Sequence, residues 1–302
     1  MRRKLVIAVI MAVLGSAFSA GFSSASQFEI SATSVKPIEL KQINSKLRIV
    51  SLANGAAEIL NSLGLRNSIV GRDIASTTPE LKAIPIVTSG HQLIAEKVIA
   101  LKPSLVIIDA SVGPKSAIDA IKKAKIKVAT IPEAWNLKDI QKKVFAIGKL
   151  VNENSQASNL NALMQKAITQ SKSNLGWQPK VAFLYLRGPS SIYLIGGPGS
   201  GADSLISALG GVDVGAKTLK NPFNTLTSEA LIAANPDVFL VMSKGLQSVG
   251  GVYGFLKLPG VAQTNAGKTK RILSVDDSLL LSFGPRTPAL LIKMSESLKV
   301  MK

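Results

Sequence analysis

The sequence predicts an α/β protein in which two Rossmann-like lobes are joined by one long α-helix. Short apolar segments alternate with amphipathic ones, which is the pattern of parallel strands connected by crossover helices. A proline-free stretch over residues 137–175 has helical periodicity. The segment from Glu96 to Pro103 also matches the segment from Glu229 to Pro236 at a constant offset of 133 residues. Because this repeat lies on both sides of the helical stretch, we expect two similar lobes.

The N-terminus has the three parts of a secretory signal. Residues 2–4 are basic, residues 5–18 form an apolar run, and small residues allow cleavage after Ala25. The run is shorter than the ~20 residues of a membrane-spanning helix. We therefore predict a signal peptide over residues 1–25 and a protein secreted across the cytoplasmic membrane, on its periplasmic or extracellular face. An uncleaved membrane anchor is the alternative.

The composition limits the classes of function. The formal charge is +18, and removal of the three cations of the signal lowers it to +15. Such a basic excess suggests nucleic acid, but export, dispersed lysines and an aromatic content of only 5% argue against that partner. The absence of cysteine excludes disulfides, thiolate metal sites and thiol catalysis. Apolar cores must therefore hold the two lobes together, and 46% hydrophobic residues suffice for that.

The first lobe is predicted over residues 46–136, after a polar, irregular linker over residues 26–45. A turn at Asn54-Gly55 leads from the first strand into the first helix, and Pro103 stops a later helix before a buried strand. The predicted strands cover residues 48–52, 68–71, 86–87, 105–109 and 127–131. The predicted helices cover residues 56–63, 94–101 and 115–124.

The linking helix is predicted over residues 137–175. Leu137, Ile140, Val144 and Ile147 recur at helical spacing, and a similar apolar series follows a polar patch. We interpret this stretch as one long helix, or two nearly continuous ones, crossing between the lobes.

The second lobe is predicted over residues 176–302, where the alternation of strands and helices resumes. The glycine-rich segment 196–201 precedes a helix but lacks the Lys-Ser/Thr of a P-loop, so we interpret it as a turn near the cleft. The predicted strands cover residues 181–187, 191–195, 238–242 and 271–275. The predicted helices cover residues 202–209, 226–233, 253–258 and 288–300.

The candidate site centres on a strand end and on the single histidine of the sequence. Tyr185 and Arg187 are two residues apart at the end of a predicted strand, so both side chains leave the same face. α/β folds place ligands at this end of their strands. His91 lies in a predicted loop of the first lobe. A phenol, a guanidinium and an imidazole together suit a ferric porphyrin, with His91 and Tyr185 on the iron and Arg187 on the phenolate oxygen.

Several segments resemble a known family. Residues 48–52, followed by Glu58-Ile-Leu-Asn-Ser-Leu-Gly64, resemble the opening of substrate-binding proteins of ABC importers for iron complexes and vitamin B12. Residues 101–106 and 235–239 resemble the lobe signatures of that class. Residues 258–262 and 283–287 resemble its haem-binding branch. The resemblance implies the class III substrate-binding fold, a protein that is not an enzyme, and haem, in its ferric form, as the transported ligand.

The resemblance also implies roles for individual residues. Haem binders of some Gram-positive bacteria place a histidine in the first lobe, and a tyrosine with an arginine two residues beyond in the second. His91, Tyr185 and Arg187 fit that pattern, and Met242 fits a methionine near the pocket. The tyrosine that commonly binds iron in Gram-negative haem binders has no counterpart in residues 76–80.

Further side chains are assigned to the cleft and to docking. Tyr193 and Tyr253 are expected to line the pocket, and basic side chains at its mouth are expected to pair with the haem propionates; the candidates are Arg72, Lys244 and Arg286. The permease of the importer is expected to dock on one carboxylate per lobe, Glu58 and Asp203, although Ser207 occupies the position where the second lobe usually has glutamate. We expect a monomer that meets the membrane only through this permease.

Two other classes of function stay open from the sequence. A ferric-siderophore or cobalamin binder would use His91 and Tyr185 only to line its pocket. An exported hydrolase could use the histidine in a Ser-His-Asp arrangement, but the sequence has no Gly-x-Ser-x-Gly elbow. A zinc or manganese binder is disfavoured, because one histidine supplies too few ligands.

Overall fold

The structure, a computed structural model, describes residues 28–89, 92–171, 175–188 and 193–302, with only the backbone of Tyr193. The predicted signal peptide over residues 1–25 lies outside the described residues. Within these residues, no helix has the length and apolar character needed to cross a membrane. The predicted α/β class is confirmed, because the described strands form two main sheets that helices cover.

The elements are numbered in chain order. The strands are β1 (Phe28–Ile30), β2 (Ile49–Ser51), β3 (Ile69–Arg72), β4 (Thr88–Ser89), β5 (Gln92–Leu93), β6 (Leu105–Ile108), β7 (Lys127–Thr130), β8 (Lys180–Leu186), β9 (Tyr193–Gly196), β10 (Val212–Asp213), β11 (Phe223–Thr225), β12 (Val238–Met242) and β13 (Ile272–Val275). The helices are α1 (Ala56–Ser62), α2 (Ala95–Ala100), α3 (Lys115–Lys123), α4 (Leu137–Leu150), α5 (Asn154–Ser171), α6 (Ala202–Ala208), α7 (Val214–Thr218), α8 (Ser228–Ala234), α9 (Ser243–Ser248), α10 (Gly251–Leu256), α11 (Asn265–Lys268), α12 (Asp277–Ser282) and α13 (Thr287–Val300). Short 3-10 turns occupy Ala32–Ser34, Arg66–Ser68 and Pro79–Leu81.

The sheet of the first lobe has the strand order β3-β2-β6-β7, and all its pairings are parallel. Strand β6 is apolar and buried along its whole length, as expected for a strand that is covered on both faces. Because the strands are parallel, their carboxyl ends share one edge of the sheet. The loops that follow β3 and β6 therefore lie on either side of the end of β2 at this edge.

The sheet of the second lobe has the order β1-β13-β12-β8-β9-β11, with β10 beside the start of β8. Strand β1 lies within residues 26–45, which were predicted to be an irregular linker, and that prediction is wrong for residues 28–30. Phe28 pairs with Leu273 of β13 in parallel, and Ile30 is buried. A three-residue strand whose partner lies at the other end of the chain has no local sequence signal, which explains the error.

The linking segment is a helical hairpin instead of a continuous strut. Helix α4 ends near Asn152, whose φ of +60° is left-handed, and α5 then returns antiparallel to α4. The side chain of Asn161 donates to the carbonyl of Gln141 at 3.2 Å. A Cβ on Gly148 would lie only 2.4 Å from that of Ala157, so glycine allows the close approach. Helix α4 packs against α1 of the first lobe, whereas α5 packs against α13 of the second.

One apolar core runs through the whole molecule. Ile59 and Leu60 of the first lobe, Val144 of α4, and Leu290 and Leu291 of the second lobe belong to the same buried cluster. Separate clusters fill the outer face of each sheet. Because burial of apolar surface is the main stabilising term, this shared core favours a fixed arrangement of the two lobes.

Candidate functional site

A cleft of about 510 Å³ lies between the lobes, at the carboxyl ends of the strands. This is where open α/β sheets bind ligands, and the volume suits a small organic molecule. Residues of both lobes line the cleft: Leu52, Asn54, Asp73, Ile74, Ala75, Thr77, Thr88, Ser111, Val112, Tyr185, Met242, Lys244, Asp277, Ser278 and Leu281.

Tyr185 stands on the second-lobe wall. It is half-buried near the carboxyl end of β8, with its ring centroid 5.4 Å from that of Phe223. Arg187 donates from Nε to the Tyr185 hydroxyl at 2.9 Å, and its guanidinium carbon lies 4.9 Å from the centre of the tyrosine ring. The predicted contact between Arg187 and the phenol oxygen is therefore confirmed. A cation is held at the atom that would carry the charge of a phenolate.

Two more groups of the second-lobe wall come from the ends of β12 and β13. Met242 is buried at the end of β12 and lines the cleft, as predicted. Lys244 is exposed and lines the cleft beside Asp277, whose Oδ1 accepts from the backbone N–H of Lys244 at 3.1 Å. Burial raises the pKa of Asp277, and the Lys244 N–H and the Lys244 charge oppose that rise. The wall thus offers the Lys244 ammonium at the cleft, close to the Asp277 carboxylate.

Asp73, directly after β3, organises the first-lobe wall. It is buried, and its carboxylate accepts from the N–H groups of Ala75 at 2.6 Å and Ser76 at 2.9 Å. The Ser76 hydroxyl also donates to it, at 2.6 Å. Burial raises the pKa of Asp73, while these hydrogen bonds lower it. Asp73 thereby fixes the loop that carries several cleft-lining residues.

Asp109, directly after β6, does the same for a second loop of this wall. Its carboxylate accepts from the N–H of Asn54 at 2.8 Å and from the N–H and hydroxyl of Ser111 at 3.1 and 2.6 Å. Asp109 itself is buried, whereas Asn54 and Ser111 line the cleft. The polar part of this wall is therefore held in place by buried carboxylates.

His91 lies outside the described residues. It falls between β4 and β5, which pair as a short antiparallel hairpin. Thr88 of β4 lines the cleft, and Gln92 of β5 bridges to Gly113 next to the cleft-lining Val112. The strands on either side of the histidine therefore lie at the edge of the cleft.

The two further tyrosines have different outcomes. Tyr193 begins β9 opposite Leu186, and its side chain lies outside the described part of the chain. The prediction that Tyr253 lines the pocket is wrong, because this side chain is 72% exposed on α10 and stacks with Lys257. The buried side of α10 is formed by Phe255, and residues two apart on a helix point to opposite sides.

The prediction that Arg72 lies at the mouth of the cleft is wrong. The side chain is buried at the end of β3 and donates to the carbonyl oxygens of Leu81 at 2.9 Å and Asp73 at 3.1 Å. Its guanidinium therefore satisfies backbone carbonyls of Asp73 and of the 79–82 loop instead of facing a ligand.

The predictions for Arg286 and Glu58 are wrong for one shared reason. The two side chains form a bidentate ion pair between the lobes, and they are 1% and 3% exposed. Arg286 cannot face a ligand at the mouth, and Glu58 cannot face a docking partner. Burial raises the pKa of Glu58, while Arg286 and Lys143 lower it. The pair is a structural contact across the lobe interface.

Asp203, the other predicted docking residue, is half-buried in the first turn of α6. Its carboxylate accepts from the N–H groups of Gly199 at 2.8 Å and Gly201 at 3.1 Å. Two N–H groups with which the glycine-rich loop could hold an anion are therefore already bound to a carboxylate of the protein.

Sequence reasoning missed Asp73, Thr88, Ser111 and Asp277 as cleft residues. A signal for Asp73, Ser111 and Asp277 was available, since each follows the carboxyl end of a parallel strand within a few residues. Among the described residues, no group of three or more histidine or carboxylate side chains could hold a metal ion.

Comparison with known families identifies the chain. The family model described as "Periplasmic binding protein" matches residues 49–279, which cover most of both lobes and most of the cleft lining. The chain belongs to this family. A relative from Bacillus subtilis (strain 168), the uncharacterized ABC transporter substrate-binding lipoprotein YvrC, is 30% identical to this binding protein over an alignment of 266 residues. The alignment covers 83% of this chain and 79% of the relative.

Solved structures of haem-binding proteins share the fold. The periplasmic heme-binding protein RhuT from Roseiflexus sp. RS-1, in its apo form, is 34% identical with a TM-score of 0.79, covering 85% of this chain and 99% of RhuT. The heme-binding protein HmuT is 34% identical with a TM-score of 0.75, covering 87% of this chain and 90% of HmuT. The cleft of this binding protein thus lies in a fold that those proteins also have.

Proposed function

We propose that this binding protein captures ferric haem in the cleft between its lobes, outside the cytoplasmic membrane, and delivers it to an ABC importer. The observation that carries the proposal is the pair formed by Tyr185 and Arg187. The tyrosine lines the cleft, and the arginine donates to its hydroxyl oxygen. The fold shared with RhuT and HmuT supports the same ligand.

The chemistry of the pair suits ferric iron. A phenolate is a hard, anionic ligand of the kind that binds iron in tyrosine-ligated haem proteins. A guanidinium at its oxygen stabilises that negative charge through a charge-assisted hydrogen bond. Solved structures of HmuT include variants in which a histidine, a tyrosine and an arginine two residues beyond that tyrosine were each replaced by alanine. Tyr185 and Arg187 have the same spacing.

The remaining contacts follow from the two walls. His91 is the proposed second iron ligand, since the strands that flank it lie at the edge of the cleft. Lys244 is the proposed partner of a propionate, because it presents an exposed ammonium on the cleft wall. Met242, which lines the cleft, is the proposed apolar contact of the porphyrin. Tyr193 is proposed as a second contact.

The proposed delivery step uses a surface of the second lobe. Asp203 is the proposed docking carboxylate, because it is partly exposed at the start of α6. The protein is proposed to act as a monomer that reaches the membrane through the permease alone.

A titration with hemin tests the function. Adding hemin to the purified protein is expected to produce a saturable Soret band of a ligated ferric haem. Tyr185→Phe keeps the ring and removes the iron ligand, so the band should shift and the affinity should fall on the order of 100-fold. Tyr253→Phe is the matched control, since this tyrosine is exposed on α10, and it should leave the band unchanged.

The outcomes separate the candidate ligands. His91→Ala should also shift the band if the imidazole is the second ligand. A wild-type protein that leaves the hemin spectrum unchanged, or a Tyr185→Phe protein identical to wild type, would contradict the proposal. Binding of a ferric siderophore or of cobalamin in place of hemin would support the alternative hypothesis, a siderophore-binding or cobalamin-binding protein.

A further inference from the structure

Lys143 connects three parts of the molecule beneath the cleft. It projects from α4 and is 1% exposed. Its ammonium donates to the carbonyl oxygen of Asn54 in the first lobe and, at 3.5 Å, to that of Ser282 in the second lobe. One buried cation therefore bridges the connecting helix and both lobes.

The residues it holds belong to the cleft itself. Asn54 and Leu281, the neighbour of Ser282, line opposite walls of the cleft. The Asn54 side-chain amide donates to the Leu281 carbonyl at 2.9 Å. Lys143 therefore contacts the two backbones next to the place where the two walls of the cleft meet.

Gly55 shows how closely the two backbones approach. Its φ is +68°, and a Cβ at this position would lie 2.6 Å from the carbonyl oxygen of Ser282 and 3.4 Å from the Lys143 ammonium. The Ser282 carbonyl ends α12, because Phe283 has a left-handed φ of +41°. Carbonyls at a helix end have no partner within the helix, so this one is free to accept from the lysine.

The charge of Lys143 is balanced by the acidic groups around it. Burial lowers the pKa of Lys143 to about 8, and four carboxylates oppose that shift; in order of their effect they are Asp109, Glu58, Glu133 and Asp73. Arg286, bound to Glu58, is the neighbouring cation. A buried ammonium costs free energy that an apolar side chain of similar volume would avoid. Stability alone therefore does not account for a lysine here.

We propose that Lys143 is a positioning residue that sets the separation of the two cleft walls. It ties the backbone before α1 to the backbone at the end of α12. This directional contact adds to the shared apolar core, whose contacts have no preferred direction. The expected effect of Lys143 on haem binding rests on the proposed function. A rigid, flat ligand that is held from both walls binds more tightly when their spacing is already set before it binds.

The spacing can be measured directly because the natural chain has no cysteine. Ser116→Cys on α3 and Gln247→Cys on α9 place one spin label on each lobe, and both positions are exposed. Pulsed electron-electron double resonance then reports the distribution of distances between the two labels, and hence between the lobes. Lys143→Met is expected to broaden this distribution. Lys142→Met is the matched control, since Lys142 is the preceding residue and is 72% exposed.

Release of hemin supplies the readout for binding. Lys143→Met is expected to raise the dissociation rate of hemin on the order of tenfold. The position of the Soret band should stay as in wild type, because Tyr185 remains in place; loss of an iron ligand would move it. If wild-type protein takes up no hemin, the proposed function fails, and the distance measurement still tests the role of Lys143.

Two results would overturn the inference. One is a folded Lys143→Met protein with the same distance distribution as Lys142→Met. The other applies if Lys143→Met does not fold, and it uses Gly55→Ala. The added methyl group would lie 2.6 Å from the Ser282 carbonyl oxygen that Lys143 also contacts. Gly55→Ala should shift or broaden the distribution and speed hemin release, and an unchanged distribution would refute the positioning role.

Discussion

Neighbouring residues of one helix can have opposite environments, as Lys142 and Lys143 do. The side chain of Lys142 is 72% exposed and pairs with Asp139, whereas Lys143 is 1% exposed between the lobes. The helical period explains the difference, since Ile140, Val144 and Ile147 place position 143 on the buried face of α4. A lysine on such a face must find polar partners, and two backbone carbonyls supply them.

The pH dependence of stability tests this environment. Lys143 has a pKa of about 8 in the folded chain, below its ordinary value of 10.5, because burial disfavours the charged form. Between these two values the unfolded chain binds more protons than the folded chain, so the free energy of unfolding should rise as pH increases through this window. The rise should not exceed about 3 kcal/mol.

Chemical denaturation from pH 7 to 10.5 provides the measurement. Lys143→Met should lose this part of the rise, whereas Lys142→Met should keep it. Parallel pH profiles for Lys143→Met and wild type would show that the lysine is not desolvated in solution.

The site residues show how far local patterns lead. Tyr185 and Arg187 were predictable as a pair, because a strand has a period of two and ends where ligands bind. Arg72 and Arg286 were assigned to the mouth of the cleft from residue type alone. Whether an arginine faces solvent or a buried carbonyl depends on segments far along the chain, so this part of the site could not be predicted.

At the scale of elements, the hairpin of α4 and α5 is the main departure from the predicted strut. The apolar periodicity of both helices was visible, but the direction of α5 was not. The left-handed φ of Asn152 and the close approach of Gly148 to Ala157 set that direction. Both features are local in sequence, yet their effect depends on which helix faces which.

Gly148→Ala should therefore destabilise the protein although alanine favours helices. The gain in helix propensity is about 1 kcal/mol, but the added Cβ would lie 2.4 Å from that of Ala157 and would force the helices apart. Overpacking of this kind costs about 1–3 kcal/mol. Thermal unfolding should show a lower midpoint for Gly148→Ala and not for Lys149→Ala, the exposed neighbour on α4. A higher midpoint for Gly148→Ala would mean that the helices can separate freely.

At the scale of the whole molecule, the ion pair of Glu58 and Arg286 joins α1 of the first lobe to the segment before α13 of the second. Both side chains are almost fully buried, so each depends on the other for compensation of its charge. Together with Lys143 and the Asn54 amide, the pair places directional contacts across an interface that also has a large apolar core.

Removing one member should cost more than removing both. Arg286→Met leaves a buried carboxylate without its main partner and should lower the free energy of unfolding by about 3–5 kcal/mol. The double variant Glu58→Met, Arg286→Met should recover a large part of that loss. Urea unfolding of the two single variants and the double variant gives the coupling energy. Strictly additive losses would show that the two charges act independently.

The sequence alone determined the α/β class, most of the main strands and helices of the two lobes, and the place of Tyr185 and Arg187 at the end of a strand. These follow from periodicity and from turn residues, which act over a few positions along the chain.

Tertiary structure alone decided that residues 28–30 complete the sheet of the second lobe, that α5 folds back on α4, and that Glu58, Lys143 and Arg286 are buried between the lobes. Glu58 and Arg286 lie 228 residues apart, and Lys143 reaches backbone groups 89 and 139 residues away. Contacts at such separations depend on how complete elements pack, because the partners share no local pattern that could reveal them.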